Sequence, residues 1–337
     1  MSDGHHFKLI QTVLEQKPFR PHRLLPTGHL QTVIGARQRR TFDWGWKSIR
    51  QENLKLRDDS TVQVKYAAVK TSAPTVVVIH GMAGSSESAY MLGLSKKAYV
   101  RGWNSILLDL YNHNPDRVRP KVFHAGCSDE VAEILELVSN RYTLQSFFLV
   151  GLWMGGNILL KLLGELGAEA AGRIVGGAVI SPLVDLTESW PVFDHWSNWL
   201  YKNYYLGRLR RLTLQNPGSV ENWVDLDHLA RVRTIREFDE VVTVPLGGFS
   251  TVDEYYRKAS SAPLLDRIAV PTLIIHSQDD PLLPSRPLVE KASGNPNLCL
   301  HLTPRGGHVA FVERRGIDRD RSWAENRVID FFETLGT

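Results

Sequence analysis

The chain has 337 residues, of which 43% are hydrophobic and 23% charged, with a formal net charge of +4. This is the composition of a globular protein with a sizeable core, and it excludes a disordered or fibrous chain. Two cysteines, Cys127 and Cys299, make neither a disulfide framework nor a metal cluster, and the arginines fall in short separated runs (37–40 and 208–211) that read as solvated faces.

Residues 1–48 contain Pro, His and Arg with a short helical pattern near Leu9 to Leu14, which reads as an arm lying on a domain rather than a domain. Leu54 to Leu56 and Val62 to Val69 alternate around Asp58-Asp59-Ser60 and predict an antiparallel hairpin. Continuous apolar runs follow: Val76 to Ile79, Ser105 to Leu108, Phe147 to Val150, Ile174 to Ile180, Thr272 to Ile275 and Leu298 to Leu302. Such runs are buried on both faces. Helical segments at about 86–101, 126–140, 155–166, 286–293 and 321–335 alternate with them, so the pattern predicts an α/β fold with a mostly parallel central sheet and a site at the carboxyl ends of its strands. Between Asp185 and about Ala262 no strand is visible, and Trp190, Trp196, Trp199, Tyr201, Tyr204, Tyr205 and Trp223 mark a helical cap inserted at about 186–262. Its aromatics are expected to pack the cap rather than meet a ligand. The domain proper then spans 49–337.

Four loops at strand ends carry the chemistry. His80-Gly81-Met82-Ala83-Gly84 follows the first buried strand and can turn backbone N–H groups toward a developing oxyanion. Gly151-Leu152-Trp153-Met154-Gly155 has the strand, tight turn and helix of a Gly-x-Ser-x-Gly nucleophile elbow, with an indole in place of the hydroxyl. Asp280 follows the strand at Thr272, and His308 follows the strand at Leu298. Elbow, acid and histidine in that order are the sequence of an α/β-hydrolase triad.

The chain resembles the α/β-hydrolase superfamily and, within it, the YheT-like esterase and lipase branch that includes ABHD-type lipases. Leu30-Gln31-Thr32, Ser88-Ala89-Tyr90, His124-Ala125-Gly126, Ser181-Pro182, Arg236 to Asp239, Tyr255-Tyr256 and Gly307-His308 carry that narrower resemblance from about residue 18 onward. It implies His308 as general base, Asp280 as its orienting acid, the N–H groups of Met82 and Met154 as an oxyanion hole, and His80 and Gly81 beside the substrate. The implied ligand is a short- to medium-chain acyl ester or an apolar molecule of that shape. Trp153 occupies the nucleophile position and is no nucleophile. The segment from Asp109 to Asn114 also departs from the branch's usual pattern.

Other groups are weaker candidates. Cys127 is a competent nucleophile by chemistry, but its place at a helix start reads as structural, and Ser85 and Ser86 read as caps of the next helix. His80, His113 and His124 lack a metal-ligand spacing with acids, the Gly81 loop lacks the Lys of a P-loop, and no cofactor motif is present. No nucleic-acid partner is expected, and nothing supports a peripheral membrane contact. No apolar run approaches the ~18 residues of a membrane span and no leader-like start is visible, so a cytoplasmic location is expected. Three readings follow: a ligand- or partner-binding pseudoenzyme, an enzyme that uses the His308 and Asp280 dyad on water without a covalent step, and an otherwise complete esterase that Trp153→Ser would restore.

Overall fold

The computed structural model describes residues 4–37, 49–111, 120–215, 220–315, 318 and 320–336; His113 and Asn112 to Asn114 lie outside them. Helices α1 (Gly4–Gln16) and α2 (Gly28–Arg37) precede the hairpin β1 (Ile49–Lys55) and β2 (Thr61–Ala67). Then follow β3 (Thr75–Ile79), α3 (Ala89–Val100), β4 (Asn104–Asp109), α4 (Ser128–Tyr142), β5 (Phe147–Leu152), α5 (Met154–Leu166) and β6 (Ile174–Ile180). The chain next forms α6 (Leu186–Asp194), α7 (Trp199–Leu214), α8 (Leu226–Arg231), α9 (Ile235–Phe238), α10 (Val244–Gly247) and α11 (Val252–Ala259) before returning through β7 (Thr272–Ser277), α12 (Arg286–Ala292), β8 (Leu298–Thr303) and α13 (Trp323–Thr334).

The eight strands form one sheet in the order β1-β2-β4-β3-β5-β6-β7-β8. β1 and β2 pair antiparallel, β2 joins β4 antiparallel, and every other pairing is parallel. This is the α/β-hydrolase architecture, with the mostly parallel sheet that the buried runs predict. Alternation along a strand explains why those runs are continuous. Val77 and Ile79 of β3 join a core shared with α4, α5 and the helices after β6, whereas Val76 and Val78 join a core on the opposite face with α3 and α13. Both faces are covered, so the run Val76 to Ile79 is apolar at every position.

The first helix belongs to the second core. Ile10 and Leu14 of α1 are buried there, and Phe7 stacks on Phe331 of α13 with ring centroids 6.4 Å apart. Among the described residues no helix is long and apolar enough to cross a membrane. The helices after β6 differ from expectation in one respect. Trp190 is buried, but Trp196, Trp199, Tyr204 and Trp223 are exposed, Trp196 to 77%. α7 lies across the sheet's carboxyl end and turns one stripe outward, so its aromatics divide between packing and solvent. Helix α3 starts at Ala89, later than the sequence suggested, because Ser85 to Ser88 form a turn in which Ser88 Oγ accepts from Ser85 N at 3.1 Å.

Candidate active site

The elbow is built by close packing of backbone. A Cβ on Gly155 would stand 2.5 Å from the carbonyl oxygens of both Ile79 and His80, and one on Gly151 would stand 2.4 Å from the carbonyl of Gly155. Only glycine lets α5 approach β3 and β5 this closely. Those contacts force the residue between strand and helix to φ 51°, ψ −113°, and that residue is Trp153. The conformation costs on the order of 1–3 kcal/mol for a bulky side chain. Ala83, Ser181, Val309 and Phe311, all near the same strand ends, also have positive φ, at 54°, 46°, 66° and 39°. Backbone strain is thus concentrated around one point of the fold.

The indole of Trp153 is buried among aromatic rings. Its centroid lies 4.8 Å from that of Tyr205, 6.0 Å from Phe193 and 4.8 Å from His308, the last in an edge-to-face contact. A Cβ on Gly81 would lie 3.5 Å from Trp153 Cε3, so the six-membered ring runs along the loop that carries Met82. Nε1 of the indole is buried with no hydrogen-bond partner among the described residues. Met154 opens α5, where the first N–H groups have no partner within the helix.

Asp280 and His308 form the dyad implied by their order. His308 Nδ1 donates to Asp280 Oδ2 at 2.8 Å, and Asp280 Oδ1 accepts from the N–H groups of Leu282 and Leu283 at 2.8 and 3.2 Å. Burial raises the carboxyl's affinity for a proton, but the charge and hydrogen bond of His308 outweigh it and hold Asp280 below the usual carboxylate range. The opposite ring nitrogen, His308 Nε2, is buried without a partner among the described residues. That is the atom that would take a proton from a serine at position 153 or from a water.

The histidine loop is fixed from the far end of the chain. His308 N donates to Thr32 Oγ1 at 2.8 Å, and Thr32 in turn donates to the Gly28 carbonyl at 2.7 Å. Gln31 donates to the carbonyls of Leu25 and Val312 and accepts from Val312 N. Gln31 and Thr32 are visible in the sequence only as a family-like string; their task becomes plain once α2 is seen against the loop after β8. Asn157 does similar work in α5, donating to Ala125 and Ala259 carbonyls and accepting from Ser261 N.

Two candidates take different places from those expected. His80 is fully buried, with Nδ1 donating to the Gly81 carbonyl at 2.8 Å and Nε2 accepting from Leu110 N at 3.3 Å. Both nitrogens are used to brace the loop, and none is left for a substrate; only Gly81 of that pair faces a cavity. Cys127 is buried too, its Sγ accepting from His124 N at 3.4 Å, and burial pushes its thiol well above the ordinary range. It does not line the cavity that holds His308, which leaves it a core residue.

That cavity has a volume of about 260 Å³ and lies between α2, the Gly81 loop and α7, with Trp153, His308, Tyr205 and Arg208 among its walls. On the other side of the elbow a pocket of about 40 Å³ is lined by Met82, Met154, Trp190, Phe238 and Asp239. Asp239 accepts hydrogen bonds from Thr243 at 2.6 Å and Tyr256 at 3.0 Å inside a π-helical turn, and burial pushes its carboxyl up to about 7. The indole thus lines the open cavity, and Met82 lines both it and the nearly filled one.

The model of the alpha/beta hydrolase fold family matches residues 74–315. The putative esterase YheT of Escherichia coli is 31% identical over 329 residues, covering 94% of this chain and 93% of that protein. Human phospholipase ABHD3 is 28% identical over 246 residues, which cover 72% of this chain and 60% of the phospholipase. A solved esterase from Pyrococcus furiosus superposes with a TM-score of 0.59 at 15% identity, over 89% of this chain and 97% of its own.

Proposed function

Because the chain belongs to the α/β-hydrolase family, in the branch of YheT-like esterases and ABHD-type lipases, we propose that it is an esterase-lineage protein in which Trp153 has closed the serine route. The observation that carries this reading is the indole itself, at φ 51° on the elbow and edge-on to His308. Acyl transfer needs an oxygen or sulfur within hydrogen-bond reach of the histidine, and Trp153 offers neither while filling the space where an ester carbonyl would meet the oxyanion loop. The cavity beside it holds a short- to medium-chain acyl ester or a molecule of that shape. Of the stretch read as a cap over it, at about 186–262, the described helices α6 to α11 supply the cap, and of the arm at 1–48 the helix α2 ties the histidine loop through Gln31 and Thr32.

The test compares the wild type with Trp153→Ser on p-nitrophenyl esters of increasing chain length. The proposal expects no turnover above background from the wild type and hydrolysis by the serine variant. A second reading rests on His308, which lines the open cavity and whose Nε2 has no hydrogen-bond partner among the described residues: the dyad acts as general base on a water without an acyl-enzyme. Turnover by the wild type that His308→Ala abolishes would favour this reading over the first.

A further inference from the structure

Arg208 lines the cavity of about 260 Å³ beside Trp153 and is half-buried. A guanidinium carries five N–H donors. Nη2 donates to the Ala83 carbonyl at 2.7 Å and Nη1 to Tyr204 Oη at 3.3 Å, both neutral acceptors. Its guanidinium also lies over the Tyr204 ring, 5.9 Å from the centroid. Among the described residues no carboxylate stands within ion-pair distance of it; Glu325, on the same cavity wall, lies 3.4 Å from Lys97 instead. A cation withdrawn from water without a counter-charge is costly, and the cost falls when an anion enters beside it. The indole of Trp153 forms part of the same wall. The remaining wall includes Leu152, Met82, Val309 and the ring of Tyr205, which suit an alkyl chain. A neutral ester would satisfy the apolar wall and leave the guanidinium uncompensated.

We propose that this cavity binds a single-chain anionic amphiphile, a fatty carboxylate or an alkyl phosphate, with its acidic head on Arg208 and its chain along the apolar wall. The proposal rests on the reading of the cavity as a ligand site and deepens it by naming the charge of the ligand. A free acid has the shape of a hydrolysis product and offers no bond to cleave.

Isothermal titration calorimetry on the full chain tests it, with decanoate, decyl phosphate and methyl decanoate, all below their micelle concentrations, against wild type, Arg208→Leu and Arg208→Lys. Thermal melts of each variant establish that it is folded. The expected result is that one or both acids bind wild type, lose about 10- to 100-fold in affinity in Arg208→Leu, and recover part of it in Arg208→Lys, while the affinity of methyl decanoate is the same in all three. Binding by decanoate alone assigns the head group to a carboxylate, and binding by decyl phosphate alone to a phosphate. Equal affinity of wild type for decanoate and its methyl ester overturns the proposal, as does a loss in Arg208→Leu shared equally by acid and ester, which would make Arg208 a latch between α7 and the Gly81 loop. Absence of binding by both acids also overturns it, and leaves the comparison of wild type with Trp153→Ser on esters unaffected.

Discussion

The loop after β8 and the turn before α5 meet at the edge-to-face contact between His308 and Trp153, yet they are held by different means. His308 and Asp280 are tied by side-chain hydrogen bonds: to each other, to Leu282 and Leu283, and through His308 N to Thr32. Trp153 is held by the shape of the backbone around it, with Gly151 and Gly155 closing the turn, and its own polar atom has no partner. A hydrogen-bonded dyad is lost if one member changes, because the other is left buried and unpaired. A turn fixed by glycine packing keeps its shape whichever side chain it carries, at a cost on the order of 1–3 kcal/mol when that side chain is bulky. The serine position of this fold can therefore be replaced without disturbing the machinery beside it, which is how a chain can carry a formed dyad and no nucleophile.

Four experiments bear on the difference between the two loops. The largest effect is expected in the Trp153→Ser background, where adding His308→Ala should lower ester hydrolysis by about 10⁴-fold or more, measured as kcat/KM on a p-nitrophenyl ester. A much smaller loss would mean that the dyad does not address position 153. Next, Gly155→Ala should lower unfolding stability by about 2–3 kcal/mol in urea titrations, since the added Cβ meets two backbone carbonyls that cannot move aside. A neutral result would show that the elbow backbone relaxes and that Trp153 is not held in it by packing.

The third experiment follows pH. Asp280 ionises more readily in the folded chain than in the unfolded one, so its contribution to stability is present above the ordinary carboxylate value of 3.8 and is lost as pH falls through the lower native value. The stability difference between wild type and Asp280→Asn should be largest near neutrality and should shrink in acid. A difference that is constant down to acid pH would contradict the ion-paired dyad. The smallest effect belongs to the arm: Thr32→Ala removes the acceptor of His308 N and should cost about 1 kcal/mol of stability. In the Trp153→Ser background it should lower kcat more than it raises KM, since the loop positions the base and does not grip the ester.

Much of the scaffold could be read from residues alone. β3 and β5 are buried on both faces, so Val76 to Ile79 and Phe147 to Val150 show as unbroken apolar runs, and Trp153, Asp280 and His308, expected at three separate strand ends, do come together in space. What escaped the sequence depends on contacts between distant segments. Thr32 reaches His308 across 276 positions, and no local pattern announces it. His80 opens the loop that carries Gly81 and Met82 and is expected beside a substrate, but burial and the N–H of Leu110 claim its ring for support. Arg208 reads as part of a solvated arginine run until α7 is seen to lean over the cavity.

If the elbow backbone is complete, the side chain at 153 alone prevents covalent chemistry. Intact-protein mass spectrometry after exposure to a fluorophosphonate, with peptide mapping, tests this in one step. An unmodified wild type and a single adduct on residue 153 of Trp153→Ser are expected. An adduct on the wild type, or a folded Trp153→Ser that stays unmodified, would contradict this reading.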